Sequence, residues 1–328
     1  MRIQTVRAAT LRIPLETPVI VGGGLRIAER EYLLVAIDTD NGLRGVGWSF
    51  TRDADLAGVA NRLQSLLDGE DPLATERLWE RMAAQDSGPT RGTIMRALSA
   101  IDIALWDIKG QVAGLPLHRL LGGYRTEVPV LMAGMYYTPG RSLADDVREA
   151  TLMSEQGFRT IKMMGGAVPF AEDLERVRAV RQALGPDIGI ALDVNGAWTD
   201  HTVAAAHARV LADLNVAFIE EPLPAEDRAG LAALVAESAV PIAAGETLYE
   251  RGAFRELVAG GAILRPDATV VGGISEWMKV HALGVTWGLR VIPHYFPEVH
   301  IHLAAAFAGV EAVECVTTVG DISNFHRI

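Results

Sequence analysis

The sequence has little cysteine and no long apolar run, and both shortages limit where the protein can work. Cys315 is the only cysteine among 328 residues, so the chain cannot form an internal disulfide. A reducing compartment is therefore expected. No apolar run approaches the roughly 20 residues that a membrane-spanning helix needs, and the first residues lack the apolar stretch of a secretory signal. We expect a cytoplasmic protein with no membrane partner.

Positive charge is also in short supply. The chain carries 30 Lys and Arg against 41 Asp and Glu, which gives a formal net charge of −11. A nucleic-acid-binding protein needs a basic face to neutralise phosphates, so no nucleic-acid partner is expected. Hydrophobic residues at 49% and charged residues at 22% are ordinary for a globular protein and argue against a disordered or fibrous chain.

The first third of the chain predicts a compact α+β domain over residues 1–125. Alternating apolar residues predict strands at 3–13 and 32–38, and Asp40-Asn41-Gly42 is a hairpin turn signal. Residues 14–24, which end in three glycines, are predicted to form a mobile loop. A core-facing helix is predicted at 94–112 because its apolar residues recur at helical spacing. These residues are Leu98, Ile101, Leu105 and Ile108.

From residue 126 onwards, short β-branched runs alternate with alanine- and leucine-rich helical stretches. The eight runs are 128–132, 158–163, 188–194, 216–222, 240–246, 262–268, 289–294 and 311–315. Eight strands that alternate with helices indicate a parallel (β/α) barrel, here over residues 126–328. A doubly wound open sheet is less favoured, because no Gly-x-Gly-x-x-Gly turn follows the first strand of the series.

Three acidic residues end consecutive strands of this predicted barrel. Asp193, Glu220 and Glu246 follow the third, fourth and fifth strands at intervals of 27 and 26 residues. Neighbouring strands lie about 4.8 Å apart, so the three carboxylates should converge at the C-terminal mouth of the barrel. They would repel one another unless a cation neutralised them, and oxygen-only ligands suit Mg²⁺. A single acid at a strand end is usually only solvated, but three in succession favour a metal site.

The next strand ends carry groups suited to proton transfer. Asp267 follows the sixth predicted strand and His294 the seventh. A carboxylate bonded to one imidazole nitrogen fixes the tautomer and raises the basicity of the other nitrogen, so His294 is the predicted base. Glu314, on the eighth strand, is predicted to donate a hydrogen bond to a developing oxyanion if the other acids keep it protonated.

At these positions the chain resembles the enolase superfamily, and within it the mandelate racemase-like subgroup. The matching motifs are Ile161-Lys162, LDVN at 192–195, IEEP at 219–222, AGE at 244–246, RPD at 265–267 with GG at 272–273, Pro293-His294 and Glu314. The helical segment AIDIALWDIK at 100–109 is similar to the capping domain of this family. The resemblance extends over essentially the whole chain.

This resemblance implies an α+β capping domain followed by a modified (β/α)₇β barrel that binds Mg²⁺. The metal would chelate the carboxylate of a small carboxylic-acid substrate while a base removes the α-proton. Carried over to this sequence, Asp193, Glu220 and Glu246 become the metal ligands, His294 and Asp267 the catalytic dyad, and Glu314 the donor on the carboxylate side. A homo-oligomer is also implied.

One departure from the family pattern bears on the reaction. Racemases of the subgroup resemble a Lys-x-Lys pattern on the second barrel strand, whereas this chain has Lys162-Met163-Met164. Methionine cannot carry a proton, and racemisation needs proton exchange on both faces of one carbon. A site with one base suits β-elimination, so we predict an acid-sugar dehydratase that forms a 2-keto-3-deoxy acid. Lys162 would orient the carboxylate or offset enolate charge.

Two other functions are compatible with the sequence. A racemase or epimerase of a 2-hydroxy or related acid would need another residue in place of Met164. A catalytically silent relative would keep the metal or the acid as a bound partner only. Loss of the 3-hydroxyl from the substrate distinguishes the dehydratase from the racemase. The absence of any reaction across a broad panel of substrates would indicate the catalytically silent relative.

The sequence also suggests candidate substrate contacts and the length of the C-terminal segment. Asn195 lies two residues beyond Asp193 and would point the same way along an extended strand end, towards a substrate hydroxyl. Tyr137 and Thr51, the latter in the turn at 49–53, are further candidate contacts. His300 and His302 are given no ligand role, because positions i and i+2 of a helix face apart. Only 14 residues follow Glu314, so the C-terminal return segment is expected to be short or truncated.

Overall fold

A computed structural model of the chain describes residues 1–51, 54–85 and 91–317. It begins with an antiparallel sheet of three strands in the order β1-β2-β3. The strands are β1 Ile3–Val21, β2 Leu25–Thr39 and β3 Arg44–Thr51. Gly42 has a φ of 85° between β2 and β3, which agrees with the predicted hairpin turn.

The prediction of a mobile loop at residues 14–24 was wrong for most of its length. Strand β1 continues to Val21, and only Gly22–Gly24 forms the turn, a single 3-10 segment. The strand tolerates Pro14 because the pairing with β2 shifts register between Pro14 and Val19. Val19 and Val21 are buried against residues of the barrel mouth, and this distant packing stabilises the long hairpin.

The described residues of the N-terminal part also form four helices: α1 Leu56–Gln64, α2 Thr75–Ala83, α3 Arg91–Ala113 and α4 Leu117–Leu120. Helix α3 includes the predicted helical segment, and all four residues of its predicted apolar stripe are fully buried. The stripe packs in a core with the inner face of the sheet and with α1 and α2.

Seven parallel strands form the second, curled sheet in the order β10-β4-β5-β6-β7-β8-β9. They are β4 Val130–Gly134, β5 Thr160–Met164, β6 Gly189–Asp193, β7 Val216–Glu220, β8 Ile242–Ala244, β9 Ile263–Leu264 and β10 Val313–Val316. The helices outside them are α5 Leu143–Glu155, α6 Phe170–Leu184, α7 His201–Ala212, α8 Arg228–Glu237, α9 Arg255–Gly260, α10 Gly273–Thr286 and α11 Pro297–Ala306.

The predicted strand at 289–294 is reduced to a single bridging residue. Val291 pairs in parallel with Leu264 on one side and with Val310 on the other, and so joins the two edges of the curled sheet. Within residues 126–317, the chain therefore forms seven β/α units followed by strand β10, which confirms the predicted modified barrel with an α+β cap. No helix in the described ranges combines the length and apolar character needed to cross a bilayer.

Inside the barrel, the side chains form three layers. The lowest is apolar and includes Leu131, Ala191, Phe218 and Ile263. Charged side chains lie above it, at the C-terminal ends of the strands. The third layer is again apolar and joins the barrel mouth to the β1–β2 hairpin. The charged groups are thereby enclosed between two apolar layers.

Helix α3 is attached to the barrel through buried hydrogen bonds to α10. Ser99 Oγ accepts the backbone N–H groups of Gly272 and Gly273, at 2.9 and 3.0 Å. Asp102 accepts the backbone N–H of Ser275 at 2.9 Å and its hydroxyl at 2.7 Å. Gly273 has a φ of +84°, and a Cβ there would lie 2.3 Å from Asp102 Oδ2. Only glycine fits this close approach.

Asp102 should make stability depend on pH. Burial raises the pKa of Asp102 to about 7, although the hydrogen bonds from Ser275 oppose the shift. The folded chain then keeps a proton that the unfolded chain releases near pH 4. As the pH rises from 4 to 7, the free energy of unfolding of wild type should therefore fall relative to that of Asp102→Asn. The expected slope is about 1.4 kcal/mol for each pH unit. Denaturant unfolding of both proteins across this range measures the difference.

The exposed Asp68 provides the control for that experiment. Asp68→Asn makes the same change of side chain at an exposed position, so it separates the effect of burying the carboxyl group from the effect of the substitution itself. A difference between wild type and Asp102→Asn that stays constant from pH 4 to 7 would contradict the prediction.

Candidate metal and proton-transfer site

The three predicted ligand carboxylates meet at the C-terminal mouth of the barrel. Asp193 ends β6, Glu220 ends β7 and is its register partner, and Glu246 lies two residues beyond β8. One candidate ligand atom from each of the three lies within 4.8 Å of the others. The Oε2 atoms of Glu220 and Glu246 are buried and accept no hydrogen bond. Lys162 Nζ lies 3.1 Å from Glu220 Oε2 and His294 Nε2 lies 3.2 Å from Glu246 Oε2, in both cases without hydrogen-bond geometry. Carboxylate oxygens left without a hydrogen bond fit a hard divalent cation.

Neighbouring residues hold the Asp193 carboxylate and the main chain at Glu246 in place. Asn195 donates its side-chain N–H to Asp193 Oδ1 at 2.6 Å, and its backbone N–H to the same atom at 3.1 Å. Its φ is 48°, so the chain turns here and is not extended as the sequence interpretation assumed. Glu221 Oε1 accepts the N–H groups of Gly245 at 2.7 Å and Glu246 at 3.3 Å.

Lys162 lies at the centre of the acidic cluster. Its Nζ is 3.0 Å from Asp193 Oδ2, 3.1 Å from Glu220 Oε2 and 2.7 Å from Glu314 Oε1. Burial lowers the pKa of Lys162, but the three carboxylates outweigh it and raise the pKa well above its usual value. These surroundings favour the charged form of Lys162, which suits charge neutralisation.

Asp267 and His294 form the predicted pair. His294 Nδ1 lies 2.9 Å from Asp267 Oδ2, and Nε2 lies 3.2 Å from Glu246 Oε2. The other oxygen of Asp267 accepts the N–H and the hydroxyl of Thr269, at 2.7 and 2.8 Å. Burial lowers the pKa of His294, but the charge of Glu246 and the bond to Asp267 outweigh it and raise the pKa to about 9. The ring is anchored at Nδ1 and directs Nε2 towards the acidic cluster.

The groups that contact Glu314 differ from those expected from the sequence. Its carboxylate contacts both Lys162 and the guanidinium of Arg265. Burial raises the pKa of Glu314, but these two cations outweigh it and hold the pKa well below its usual range. The two cations therefore disfavour the expected protonated form of Glu314. Their approach to this side chain could not be predicted from spacing along the chain.

Arg265 is the site residue whose role the sequence interpretation missed. It was part of a matching motif but received no function. In the structure it is fully buried and contacts both Glu220 and Glu314. A signal was present, because an arginine inside an otherwise apolar strand run must find buried acidic partners.

Met164 faces Asp193 across β5 and β6, as its register partner. Its side chain is 2% exposed and packs in the apolar layer with Tyr136, Tyr295 and Phe296. A thioether in this setting is a packing group, so the described part of the chain offers no proton carrier at this position.

The other predicted substrate contacts are engaged elsewhere. The Tyr137 hydroxyl donates to Asp173, and the Arg176 guanidinium lies 4.2 Å from the ring centroid. The Thr51 hydroxyl lies 3.5 Å from the carbonyl oxygen of Ala54, and none of its described contacts joins it to the carboxylates. Residues 52 and 53 of the predicted turn lie outside the described residues, as does the C-terminal segment 318–328.

The tip of the β1–β2 hairpin contacts the loops that carry the site. Gly23 donates its N–H to the Gly166 carbonyl at 3.1 Å. A Cβ on Gly22 would lie 1.9 Å from the carbonyl oxygen of Val194, next to Asn195. The N-terminal part therefore forms one wall above the carboxylates, and the close approach requires glycine at position 22.

Comparisons with known proteins agree with this geometry. The model of the mandelate racemase / muconate lactonizing enzyme N-terminal domain matches residues 3–122, and the enolase C-terminal domain-like model matches residues 143–326. The L-talarate/galactarate dehydratase of Salmonella typhimurium is 35% identical over 319 residues, which cover 93% of this chain and 79% of that protein.

Two further similarities add to these. An arabinonate dehydratase of Saccharolobus solfataricus is 35% identical over 278 residues, covering 83% of this chain and 74% of that protein. The crystal structure of a racemase from Streptomyces coelicolor A3(2) with bound magnesium superposes with a TM-score of 0.90 at 32% identity, covering 95% of this chain and 89% of that one.

Proposed function

Because the chain belongs to the mandelate racemase subgroup of the enolase superfamily, we propose that it is a Mg²⁺-dependent acid-sugar dehydratase, a hydro-lyase that forms a 2-keto-3-deoxy acid. Within this family, the choice of a dehydratase over a racemase rests on the side chains at the two positions that face the carboxylates. His294 offers a proton-transfer group, whereas Met164 is buried in an apolar layer. The names of two similar proteins, both dehydratases of sugar acids, support the proposal.

In the proposed site, Asp193, Glu220 and Glu246 hold the cation through their carboxylates. Bound there, Mg²⁺ supplies positive charge against which a substrate carboxylate can bind and take up the second negative charge that deprotonation creates. Lys162 supplies a further fixed positive charge beneath these groups, since its Nζ lies within 3.1 Å of Asp193 and Glu220. Glu314, held by Lys162 and Arg265, limits the net charge on that side of the site.

His294 and Asp267 carry out the proton-transfer steps. His294 acts in its neutral form, and a cation held by Glu246 would favour that form by offsetting the negative charge that raises the His294 pKa. Neutral His294 accepts the α-proton at Nε2, while Asp267 holds Nδ1 and so keeps the ring oriented throughout. The electron pair left at the α-carbon forms a double bond to C3 as the C3–oxygen bond breaks. The departing hydroxyl takes the same proton from His294 and leaves as water. The enol that remains tautomerises to the 2-keto-3-deoxy acid.

Substrate recognition is proposed for the residues at the mouth. Asn195 bonds Asp193 through its side-chain N–H, which leaves its amide oxygen for a substrate hydroxyl. Tyr137 and Thr51 stay proposed contacts, and Tyr137 reaches substrate only if its hydroxyl leaves Asp173. The substrate class is a polyhydroxy carboxylic acid with a hydroxyl at C3, as the dehydratase names of the relatives suggest.

Proton NMR in D₂O tests the proposal. The protein is incubated with Mg²⁺ and a panel of aldonic and aldaric acids that includes galactarate, talarate and arabinonate. We expect keto-acid signals from at least one acid, with solvent deuterium at C3 of the product. The recovered substrate should keep its α-configuration, because Met164, at the second position that faces the carboxylates, cannot carry a proton. Inversion without loss of hydroxyl would contradict the proposal.

A racemase is the second candidate, and one observation favours it: a similar structure belongs to a protein described as a racemase. The same NMR spectra decide between the two, because a racemase converts one configuration at the α-carbon into the other and forms no keto acid. If no acid reacts but Mg²⁺ binds measurably, the protein is instead a catalytically silent relative.

We also propose that the protein works in the cytoplasm as a homo-oligomer. The single cysteine suits a reducing compartment, and neither nucleic acid nor membrane is indicated as a partner. Light scattering coupled to size exclusion tests the oligomeric state, with one chain of 35.2 kDa as the reference mass.

A further inference from the structure

Arg265 lies between the carboxylate cluster and the chain segment that carries His294. The residue is fully buried, and its guanidinium binds on two sides. Towards the cluster, Nε and Nη2 lie 3.0 and 2.9 Å from Glu220 Oε1, and Nη2 also contacts Glu314. Towards the other side, Nη1 donates to the carbonyl oxygens of Ile292 at 3.0 Å and Pro293 at 3.4 Å.

The segment that Arg265 holds is strained directly after His294. Tyr295 and Phe296 have φ values of 50° and 38°, a left-handed conformation that bulky residues rarely adopt. Such a turn persists only where the surroundings hold it. Glu314 accepts the Tyr295 N–H at 3.1 Å, and His300 Nδ1 lies 2.6 Å from the Tyr295 carbonyl oxygen. Arg265 therefore holds the chain on the N-terminal side of His294. Glu314 and His300 hold it on the C-terminal side.

We propose that Arg265 is a positioning residue that couples the ligand Glu220 to the turn carrying His294, and so sets the distance between the base and the metal site. This inference rests on the proposed role of His294 as the base. Arginine suits the task because its planar guanidinium presents five donors in a fixed fork, which can bind a carboxylate on one edge and carbonyls on another. A lysine has the charge but not the fixed span.

The coupling predicts effects that a purely structural role would not produce. Without Arg265, the turn at 292–296 loses its tie to Glu220, and His294 shifts relative to the carboxylates. A misplacement of about 1 Å is enough to cost roughly 10²-fold in rate. The affinity for Mg²⁺ should not weaken, because the change removes a positive charge beside Glu220 and so favours a cation there.

Arg181 gives a matched control. It also donates to several main-chain carbonyls, those of Gly185, Ile188, Leu214 and Asn215, at distances of 2.7 to 2.9 Å. These carbonyls lie before β6 and β7, at the opposite end of the barrel from the carboxylates. Arg181→Gln therefore reports the loss of arginine–carbonyl bonds without touching the site.

The experiment compares wild type, Arg265→Gln, Arg265→Lys and Arg181→Gln. We measure kcat and KM on the accepted sugar acid, the Kd for Mg²⁺ by calorimetry, thermal unfolding, and the crystal structure of Arg265→Gln. Arg265→Gln should lose about 100-fold in kcat with KM changed less than about fivefold, a Kd no weaker than wild type, and a relaxed turn at Tyr295 and Phe296. Arg265→Lys should recover part of the kcat, and Arg181→Gln should keep the wild-type kcat while unfolding at a lower temperature.

Three results would overturn the inference: a wild-type kcat in Arg265→Gln, an unchanged turn with Mg²⁺ affinity weakened about 100-fold, or equal kcat losses in Arg265→Gln and Arg181→Gln. If Arg265→Gln does not fold, the kcat, Kd and crystal structure of Arg265→Lys decide in its place. If wild type converts no sugar acid, the proposed function fails. The Mg²⁺ affinities and the turn in the crystal structure still test the positioning role separately.

Discussion

Replacing His294 by asparagine should lower kcat by about 10²- to 10⁴-fold, the range over which a positioned acid–base group contributes to a rate. Asparagine keeps a polar group near Asp267 but cannot accept the α-proton at the position of Nε2. Lys162 Nζ is held by three carboxylates that favour its charged form, and Met164 is apolar, so neither is suited to replace the lost base. The exchange of the substrate α-proton for deuterium in D₂O should disappear together with product formation.

A matched control is His281→Asn. His281 is also buried and its ring nitrogen bonds a main-chain carbonyl, that of Ala308, at 2.8 Å. This substitution removes a buried imidazole of the barrel outside the proposed site, so kcat should stay close to wild type. Turnover within tenfold of wild type in His294→Asn would show that another group removes the proton, and the proposed mechanism would then be wrong.

Removing the divalent cation should abolish turnover, and Glu220→Gln should weaken Mg²⁺ binding by at least about 100-fold. Substitutions that only touch the partners of metal ligands already cost about 10- to 100-fold in affinity, and Glu220 is itself a proposed ligand whose buried Oε2 accepts no hydrogen bond. Chelator treatment followed by Mg²⁺ addition tests the first effect, and calorimetry tests the second.

Thermal unfolding provides a reading of the same site that is independent of activity. A ligand that binds only the folded state at 100 times its Kd stabilises it by about 2.7 kcal/mol. Wild type should show this gain when Mg²⁺ is added, and Glu220→Gln should show little of it at the same concentration.

The control for the metal site is Glu237→Gln, an exposed glutamate at the end of α8, the helix that follows β7. Its Mg²⁺ affinity and stabilisation should match wild type. Equal stabilisation of wild type and Glu220→Gln by Mg²⁺ would mean that the cation binds elsewhere, and the ligand assignment would have to be abandoned.

The sequence by itself determined the barrel and the meeting of the three carboxylates. Alternating strand and helix patterns require parallel strands, and the carboxyl ends of parallel strands lie on one side of a sheet. Asp193, Glu220 and Glu246 therefore converge whatever the details of packing. The buried face of α3 followed in the same way, since helical periodicity depends only on spacing along the chain.

Only the tertiary structure decided how the charges pair and where the chain turns. Lys162 and Arg265 contact acids on other strands, and both contact Glu314, which lowers its pKa. Residues 14–21 form a strand because the barrel mouth covers them, and Tyr137 bonds Asp173 rather than facing open space. Spacing along a sequence fixes which face a residue occupies, but side-chain partners and positive-φ turns such as Asn195 depend on neighbours distant in the chain, which only the folded structure brings together.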